Sequence, residues 1–124
     1  DATYTKLEFD TETYDSDGTY DNSSTYRFTP AVSGKYFIYA CTRTATTTDF
    51  NALQIILRKN GSDVFIQTNR NTYYDSVSLA CTFDSNTTDY FEIVGYQNSG
   101  GSINFGGGAS DSPTRFGAYR IIGA

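Results

Sequence analysis

Histidine is absent from the 124-residue chain, and so are tryptophan and methionine. Histidine is the side chain that most often serves as a general base near neutral pH, and it is the commonest metal ligand. Its absence excludes Ser-His-Asp and Cys-His catalytic groups. A glycosidase needs two carboxylates at a set separation across a sugar cleft, and nothing in the sequence shows such a pair. We therefore expect a protein that is not an enzyme.

Cysteine and long apolar runs are scarce as well. Cys41 and Cys81 are the two cysteines, which is too few for a disulfide framework. They could pair, or they could lie in the interior as small hydrophobic residues. We expect free thiols, because a chain of this length can build a core without a covalent cross-link. No apolar run approaches the roughly 20 residues of a membrane-spanning helix, so we expect no membrane insertion.

The charge balance is acidic, with a formal net charge of −5 and a sequence pI near 4.4. Binding to nucleic acid depends on a basic surface that neutralises phosphates. We therefore expect no nucleic-acid partner. Seven of the 14 acidic residues fall within the first 21 positions. This segment is either a solvated, solubilising surface or a site for a hard cation.

Calcium is the one cofactor that the acidic segment suggests. Asp15, Asp17 and Asp21 offer carboxylate oxygens at near-alternate positions, and calcium prefers oxygen ligands. The spacing lacks the glutamate that closes a helix-loop-helix calcium loop, so that motif is excluded. The prediction is a weak calcium site at these three residues, in a protein with no other cofactor.

The remaining composition favours strands and turns. Phe and Tyr together make up 16% of the residues, and aromatic residues are enriched in strands. Short apolar or alternating segments are separated by turn residues, and Asn60-Gly61 is a strong hairpin signal. We predict strands at residues 2–9, 24–29, 35–44, 51–59, 63–68, 76–83, 90–97 and 114–122. Such a series, with no helical period, predicts an antiparallel sandwich or jelly roll in a single domain, residues 1–124.

The segment from residue 26 to residue 40 places a break before a very apolar strand. Pro30 cannot donate a hydrogen bond to a sheet, and Gly34 can adopt backbone conformations closed to other residues. The strand that follows has large side chains on both faces, which is typical of a sandwich interior or an oligomer interface. The residues that we assign to a core or a trimer interface are Tyr36, Phe37, Ile38, Tyr39, Phe83 and Tyr119.

An ordered set of short motifs covers nearly the whole chain. The set comprises Tyr20-Asp21, Tyr26-Arg27-Phe28-Thr29-Pro30, Ser33-Gly34-Lys35-Tyr36-Phe37-Ile38, Leu57-Arg58-Lys59-Asn60-Gly61, Ser78-Leu79-Ala80, Asp89 to Val94 and Arg115 to Ile121. In this order the motifs resemble the complement C1q domain. The chain departs from the family pattern at Thr88-Asp89, where Gly-Asp is usual, at Gly117, which comes one residue early, and at Ile38, where the family has Phe.

The resemblance implies a ten-strand jelly roll that forms a compact homotrimer, as in tumour necrosis factor. It also implies a non-enzymatic protein that binds proteins, sugars or cell surfaces, sometimes with calcium. The acidic and Thr-rich segments look more like virus and bacteriophage members of the family, which form fibre heads, tail adhesins or capsid decoration proteins. We therefore expect a C-terminal head of a longer protein, at the virion surface or otherwise extracellular.

Candidate ligand-binding residues lie in the predicted loops, because loops at the ends of a barrel commonly carry recognition. Tyrosine suits both sugar rings and protein surfaces, although Tyr73 and Tyr74 could equally pack on a neighbouring subunit. The six candidates are Arg70, Asn71, Tyr73, Tyr74, Asn98 and Asn104.

Three functions are compatible with these patterns. The first is a trimeric recognition head that binds a glycan or protein of the host surface. The second is a trimeric decoration knob that binds capsid proteins. The third is a monomeric carbohydrate-binding sandwich attached to an enzyme. The oligomeric state separates the third function from the first two.

Overall fold

A computed structural model describes residues 1–44, 48–72, 76–106 and 114–123. The described residues form nine strands and no helix, which confirms the all-β prediction. The strands are β1 (Thr5–Lys6), β2 (Tyr20–Asp21), β3 (Arg27–Phe28), β4 (Gly34–Arg43), β5 (Phe50–Lys59), β6 (Ser62–Thr72), β7 (Ser76–Ser85), β8 (Phe91–Asn98) and β9 (Arg115–Arg120).

The strands build two antiparallel sheets. The larger sheet has six strands in the order β2-β3-β8-β5-β6, with β1 also paired to β8. The smaller sheet has three strands in the order β7-β4-β9, so β4 is its central strand. The buried residues of the two sheets form one cluster between them. The fold is therefore a β-sandwich, as the sequence predicts.

Alternation along the strands supplies the core, because successive side chains of a strand point to opposite faces of its sheet. On β5, Leu53, Ile55 and Leu57 are fully buried and belong to the core cluster. From the smaller sheet, Ile38 and Leu79 meet them in the same cluster. The buried members of the cluster are Leu7, Phe28, Tyr36, Ile38, Ala40, Phe50, Leu53, Ile55, Leu57, Val77, Leu79, Phe91 and Ile93.

The predicted hairpin at Asn60-Gly61 is confirmed and connects β5 to β6. Asn60 and Gly61 have φ values of 53° and 82°, the pair of positive angles that a type I′ turn requires. The Asn60 side chain also holds the next loop: its Nδ2 donates to Asp89 at 2.7 Å, and its Oδ1 accepts from the Tyr90 amide at 2.9 Å. One residue therefore fixes both the hairpin and the start of β8.

The first third of the chain contains less strand than the sequence predicts. The predicted strand at residues 2–9 is reduced to Thr5–Lys6, and that at residues 24–29 to Arg27–Phe28. The second reduction has a local cause, because Tyr26 has a φ of 52°, outside the extended region. Tyr20–Asp21 pairs with this short strand and was not predicted as a strand.

The two cysteines are not joined by a disulfide, as expected. Cys41 lies opposite Ser78 and Cys81 lies opposite Ile38 in the β4–β7 pair. Their side chains therefore leave the smaller sheet on opposite faces. Burial raises the pKa of the Cys81 thiol, which lowers its reactivity at neutral pH.

Removing side-chain volume from the core should destabilise the domain. We expect Ile55→Ala to lower the free energy of unfolding by about 2–5 kcal/mol, because the site is fully enclosed and a cavity would remain. Ile122 is an exposed residue of the same type, so Ile122→Ala should change stability by no more than about 0.5 kcal/mol. Urea denaturation measures both. Equal effects would contradict the assignment of Ile55 to the core.

The Asn60 network should make stability depend on acid pH. Hydrogen bonds from Asn60 and Asn86, together with Lys59 at 3.0 Å, lower the pKa of Asp89 from 3.8 to about 2. The folded-state pKa lies below the unfolded one, so the stabilisation is present above pH 3.8 and is lost as the pH falls towards about 2. We expect Asp89→Asn to be much less stable than wild type at neutral pH, with a smaller difference near pH 2.

A matched exposed carboxylate controls for net charge in this experiment. Asp84 has 82% of its side chain exposed, so Asp84→Asn should give nearly the same unfolding free energy as wild type at both pH values. A constant difference between wild type and Asp89→Asn across this pH range would show that the Asp89 carboxylate is not stabilised by its neighbours.

Candidate functional site

The outward face of the smaller sheet carries a cluster of aromatic residues, which we call the aromatic face: Phe37, Tyr39, Tyr119 and the glycine between them, Gly117. Phe37 lies directly opposite Tyr119 in the β4–β9 pair, and their ring centroids are 5.1 Å apart. Tyr39 is two residues along the same strand, with its ring centroid 6.2 Å from that of Phe37. Tyr119 remains 57% exposed. The rings therefore form a contiguous aromatic surface on the outer side of the smaller sheet, in which Phe37 and Tyr39 are partly buried.

Gly117 provides the space in which the Tyr39 ring lies. The two residues are opposite each other in the sheet, and a Cβ atom at Gly117 would overlap the outer atoms of the Tyr39 ring. Burial and the neighbouring Tyr14 hydroxyl, which forms a hydrogen bond with it, raise the pKa of Tyr39. Tyr14 belongs to the acidic segment and is itself 81% exposed. Its hydrogen bond to Tyr39 therefore connects that segment to the aromatic face.

The six residues assigned to a core or a trimer interface divide between the two faces of the smaller sheet. Tyr36 and Ile38 are buried in the core, and the partly buried Phe83 packs against it. The Tyr36 hydroxyl donates to the Val32 carbonyl at 2.7 Å. The remaining three residues, Phe37, Tyr39 and Tyr119, form the aromatic face.

The acidic segment does not show the predicted group of carboxylates. Asp15 accepts hydrogen bonds from the Tyr20 amide at 2.7 Å and from the Thr19 hydroxyl at 3.0 Å. Asp21 accepts from three backbone amides and three hydroxyls of residues 23–25, and these bonds hold its pKa well below the ordinary range. The two carboxylates therefore organise separate turns. Across the described ranges, no three His, Cys, Asp or Glu side chains come together to hold a metal ion.

The six candidate ligand-binding residues are not gathered in one loop. Tyr73 and Tyr74 lie outside the described residues, and so does the side chain of Asn71, a residue of β6. Asn104 lines a groove of about 740 Å³ beside the N-terminal segment. Arg70 and Asn98 belong to strands instead, and both lie opposite Ala52 in the larger sheet. The structure therefore brings two of the six together.

The outward face of the larger sheet around Ala52 combines aromatic and polar side chains, and we call it the polar face: Tyr4, Gln54, Thr68, Arg70, Tyr96 and Asn98. Tyr4 and Tyr96 are in ring contact, with centroids 4.8 Å apart. In the same cross-strand row, the Gln54 side chain donates to the Thr68 hydroxyl at 3.1 Å. These four residues share no signal in the sequence, because their alignment depends on how three strands pair.

Ion pairs occupy most of the charges on the outward side of the larger sheet. Glu92 accepts from Lys6 at 3.0 Å and from Arg27 at 3.2 Å. Burial raises the pKa of Glu92, but these two cations outweigh it and leave the pKa lowered. Arg58 pairs with Asp63 at 2.6 Å. In the part of the chain that the structure describes, Arg70 has no ion-pair partner.

Comparison with known proteins adds no family to these observations. The chain matches no protein-family model and no curated protein. Among the described residues, no helix is long and apolar enough to cross a membrane.

The close packing of Tyr39 on Gly117 gives a test of the aromatic face. We expect Gly117→Ala to destabilise the domain by about 1–3 kcal/mol, because the added methyl group must displace the Tyr39 ring. Gly101 has open space around its Cβ position, so Gly101→Ala is the matched control and should be close to neutral. Thermal unfolding measures both.

A double-mutant cycle with Tyr39→Leu separates this clash from the intrinsic effect of losing a glycine. The cost of Gly117→Ala should shrink in the Tyr39→Leu background, because the smaller side chain leaves the space free. An unchanged cost would refute the packing of Tyr39 against Gly117.

Proposed function

We propose that the chain is a non-enzymatic jelly-roll module that assembles as a homotrimer through the aromatic face. We further propose that it is the recognition head of a phage fibre or tail protein and binds a molecule of the host surface. The observation that carries the proposal is the cluster of Phe37, Tyr39 and Tyr119 on the outer side of the smaller sheet, in which Tyr119 is exposed and the other two rings are partly buried.

The strand order supports the jelly-roll part of the proposal. From β3 onwards the chain changes sheet at every connection except the β5–β6 hairpin. The larger sheet therefore holds β3, β8, β5 and β6, while β9, β4 and β7 form the smaller one. A jelly roll folds two Greek keys into two facing sheets and produces this kind of alternation. The motif order that resembles the C1q domain points to the same topology.

The chemistry of the aromatic face supports assembly. Aromatic residues are enriched at protein interfaces, where they bury a large area at a low cost in conformational entropy. A contiguous exposed apolar patch on a soluble domain commonly marks such an interface. In a closed cyclic trimer each subunit contributes the same surfaces, so one aromatic face per subunit is sufficient to line a shared axis.

The host-surface molecule then binds to surfaces that trimer assembly leaves exposed. The larger sheet lies on the opposite side of the sandwich from the aromatic face, and its outward side carries Arg70, Tyr96 and Asn98. A chain without histidine lacks the side chain that most often acts as a general acid or base. This favours a binding function over an enzymatic one. The virion setting rests on the likeness of the sequence to phage and virus members of the C1q-like group, with the molecule displayed at the virion surface.

A charge introduced into the aromatic face should prevent assembly and leave the fold intact. We expect Tyr119→Asp to sediment as a monomer where the wild type sediments as a trimer, because a carboxylate would be desolvated without a partner in the interface. The residue is 57% exposed in the subunit, so circular dichroism and the unfolding transition should show that the variant still folds.

Val32 provides a matched control, because it is an apolar residue with 51% exposure in the loop before β4, where its carbonyl accepts from Tyr36 of the core. Val32→Asp should remain trimeric. The proposal fails if the wild type is a monomer at micromolar concentration. It also fails in its choice of surface if Tyr119→Asp is as trimeric as the wild type.

A further inference from the structure

The polar face is the most unusual exposed surface outside the aromatic face. Most strand positions around it are covered: Ile56 and Val94, in the next cross-strand row, are buried although they point outward. Tyr4, by contrast, is 55% exposed, and Arg70 is exposed. The sheet therefore presents aromatic rings and a guanidinium on a platform that is already packed beneath them.

The side chains of the polar face are suited to a saccharide. An aromatic ring offers an apolar surface with a polar hydroxyl at its edge, which matches the mixed C–H and hydroxyl surface of a sugar ring. Thr68 and Asn98 beside the rings can both donate and accept hydrogen bonds, whereas the Gln54 side-chain oxygen is buried and its amide nitrogen donates to Thr68. The surface follows an open sheet instead of a deep apolar pocket, which favours an extended chain over a small apolar ligand.

The Arg70 guanidinium favours a ligand that carries a negative charge. The other cations on this side of the larger sheet, Lys6, Arg27 and Arg58, are paired with Glu92 or Asp63. Arg70 has no such partner among the described residues. A guanidinium recognises a carboxylate through two parallel hydrogen bonds, in a planar geometry that lysine cannot reproduce.

The register of the sheet brings the guanidinium to the aromatic pair. Arg70 and Asn98 both lie opposite Ala52, one on each side. Two strand spacings, or about 10 Å, therefore separate their Cα atoms. Tyr96 precedes Asn98 by two residues on the same face, at about 7 Å. Ala52, a small and buried residue, lies between Arg70 and Asn98 in this row.

From this juxtaposition we infer that the polar face binds an acidic saccharide. Tyr4 and Tyr96 pack against the sugar rings, and Arg70 pairs with a carboxylate of the sugar. Asn98 and Thr68 bind hydroxyl groups, and Gln54 holds Thr68 in place. This inference rests on the proposed recognition function, and it names the class of host-surface molecule and the residues that select it.

Binding of defined oligosaccharides tests the inference. The probes are oligogalacturonate, a chondroitin oligosaccharide and sialyllactose, each paired with its carboxyl-reduced neutral form, measured by calorimetry against the wild-type protein. We expect at least one acidic probe to bind, with the neutral partner roughly 10- to 100-fold weaker, because the charge-assisted hydrogen bonds to Arg70 are lost.

Two variants and a control assign the effect to residues. Arg70→Gln should reduce affinity for the acidic probe to the level of its neutral partner. Tyr96→Ala should weaken both forms, because it removes ring contact and no charge. Arg58→Gln removes the same charge from the same side of the sheet, where Arg58 is already paired, and should change affinity by less than about threefold.

The outcomes separate this inference from the proposed assembly. A trimer by sedimentation that binds none of the acidic probes at millimolar concentration overturns the acidic-saccharide site and leaves the trimer standing. Acidic binding that Arg70→Gln leaves unchanged, or that Arg58→Gln abolishes equally, also overturns it. A monomer that binds the acidic probe through Arg70 retains the site and refutes the trimeric head.

Discussion

The central strand of the smaller sheet has large side chains on both of its faces, and the rest of the structure follows from how they are covered. On the inner face, Tyr36 and Ile38 close the core against the larger sheet. On the outer face, Phe37 and Tyr39 meet Tyr119 and leave an apolar surface in contact with solvent. Burial of the inner face accounts for folding of the subunit. The apolar rings of the outer face would be covered by a neighbouring copy of the chain, and this is the reason to propose assembly.

The larger sheet depends on a different constraint, the register of its central strands. The Asn60-Gly61 turn fixes how β5 pairs with β6, and the bonds from Asn60 to Asp89 and Tyr90 hold the start of β8 beside that turn. The cross-strand rows follow from this alignment together with a register shift in the β5–β6 pair between Leu57 and Arg58. A slip of one residue would move Arg70 to the opposite side of the sheet, so the hairpin and the polar face are linked.

Sequence reasoning predicts the parts of this fold that local pattern controls. Seven residues in alternation from Val77 to Phe83 mark one buried and one open face, and the structure places Val77 and Leu79 in the core. Asn60-Gly61 needs positive φ angles at both residues, so a turn there follows from the residue types. The strands β1, β2 and β3 have two residues each, which is too few to show an alternating pattern in the sequence. Tyr26 has a positive φ, so the strand predicted at residues 24–29 does not continue through it.

The residues of the candidate sites also divide into those that a local sequence pattern indicates and those that strand pairing brings together. Large side chains on both faces of β4 already indicate a second covered surface, so the sequence pattern alone identifies Phe37 and Tyr39 as candidate residues. Gln54, Thr68 and Tyr4 are not, because their proximity depends on pairing between strands that lie far apart in the chain. In the acidic segment, the sequence offers Asp15 and Asp21 as cation ligands, and the structure shows that both accept hydrogen bonds from neighbouring amides and hydroxyls.

Hydroxyl-radical footprinting of the wild-type protein in solution tests the central claim most directly. Tyr119 and Tyr4 have nearly equal exposure in the subunit, 57% and 55%, and they lie on opposite outer faces of the sandwich. If the aromatic face is covered by neighbouring subunits, Tyr119 will be strongly protected from oxidation while Tyr4 is modified. Equal modification of the two tyrosines would contradict assembly through the aromatic face.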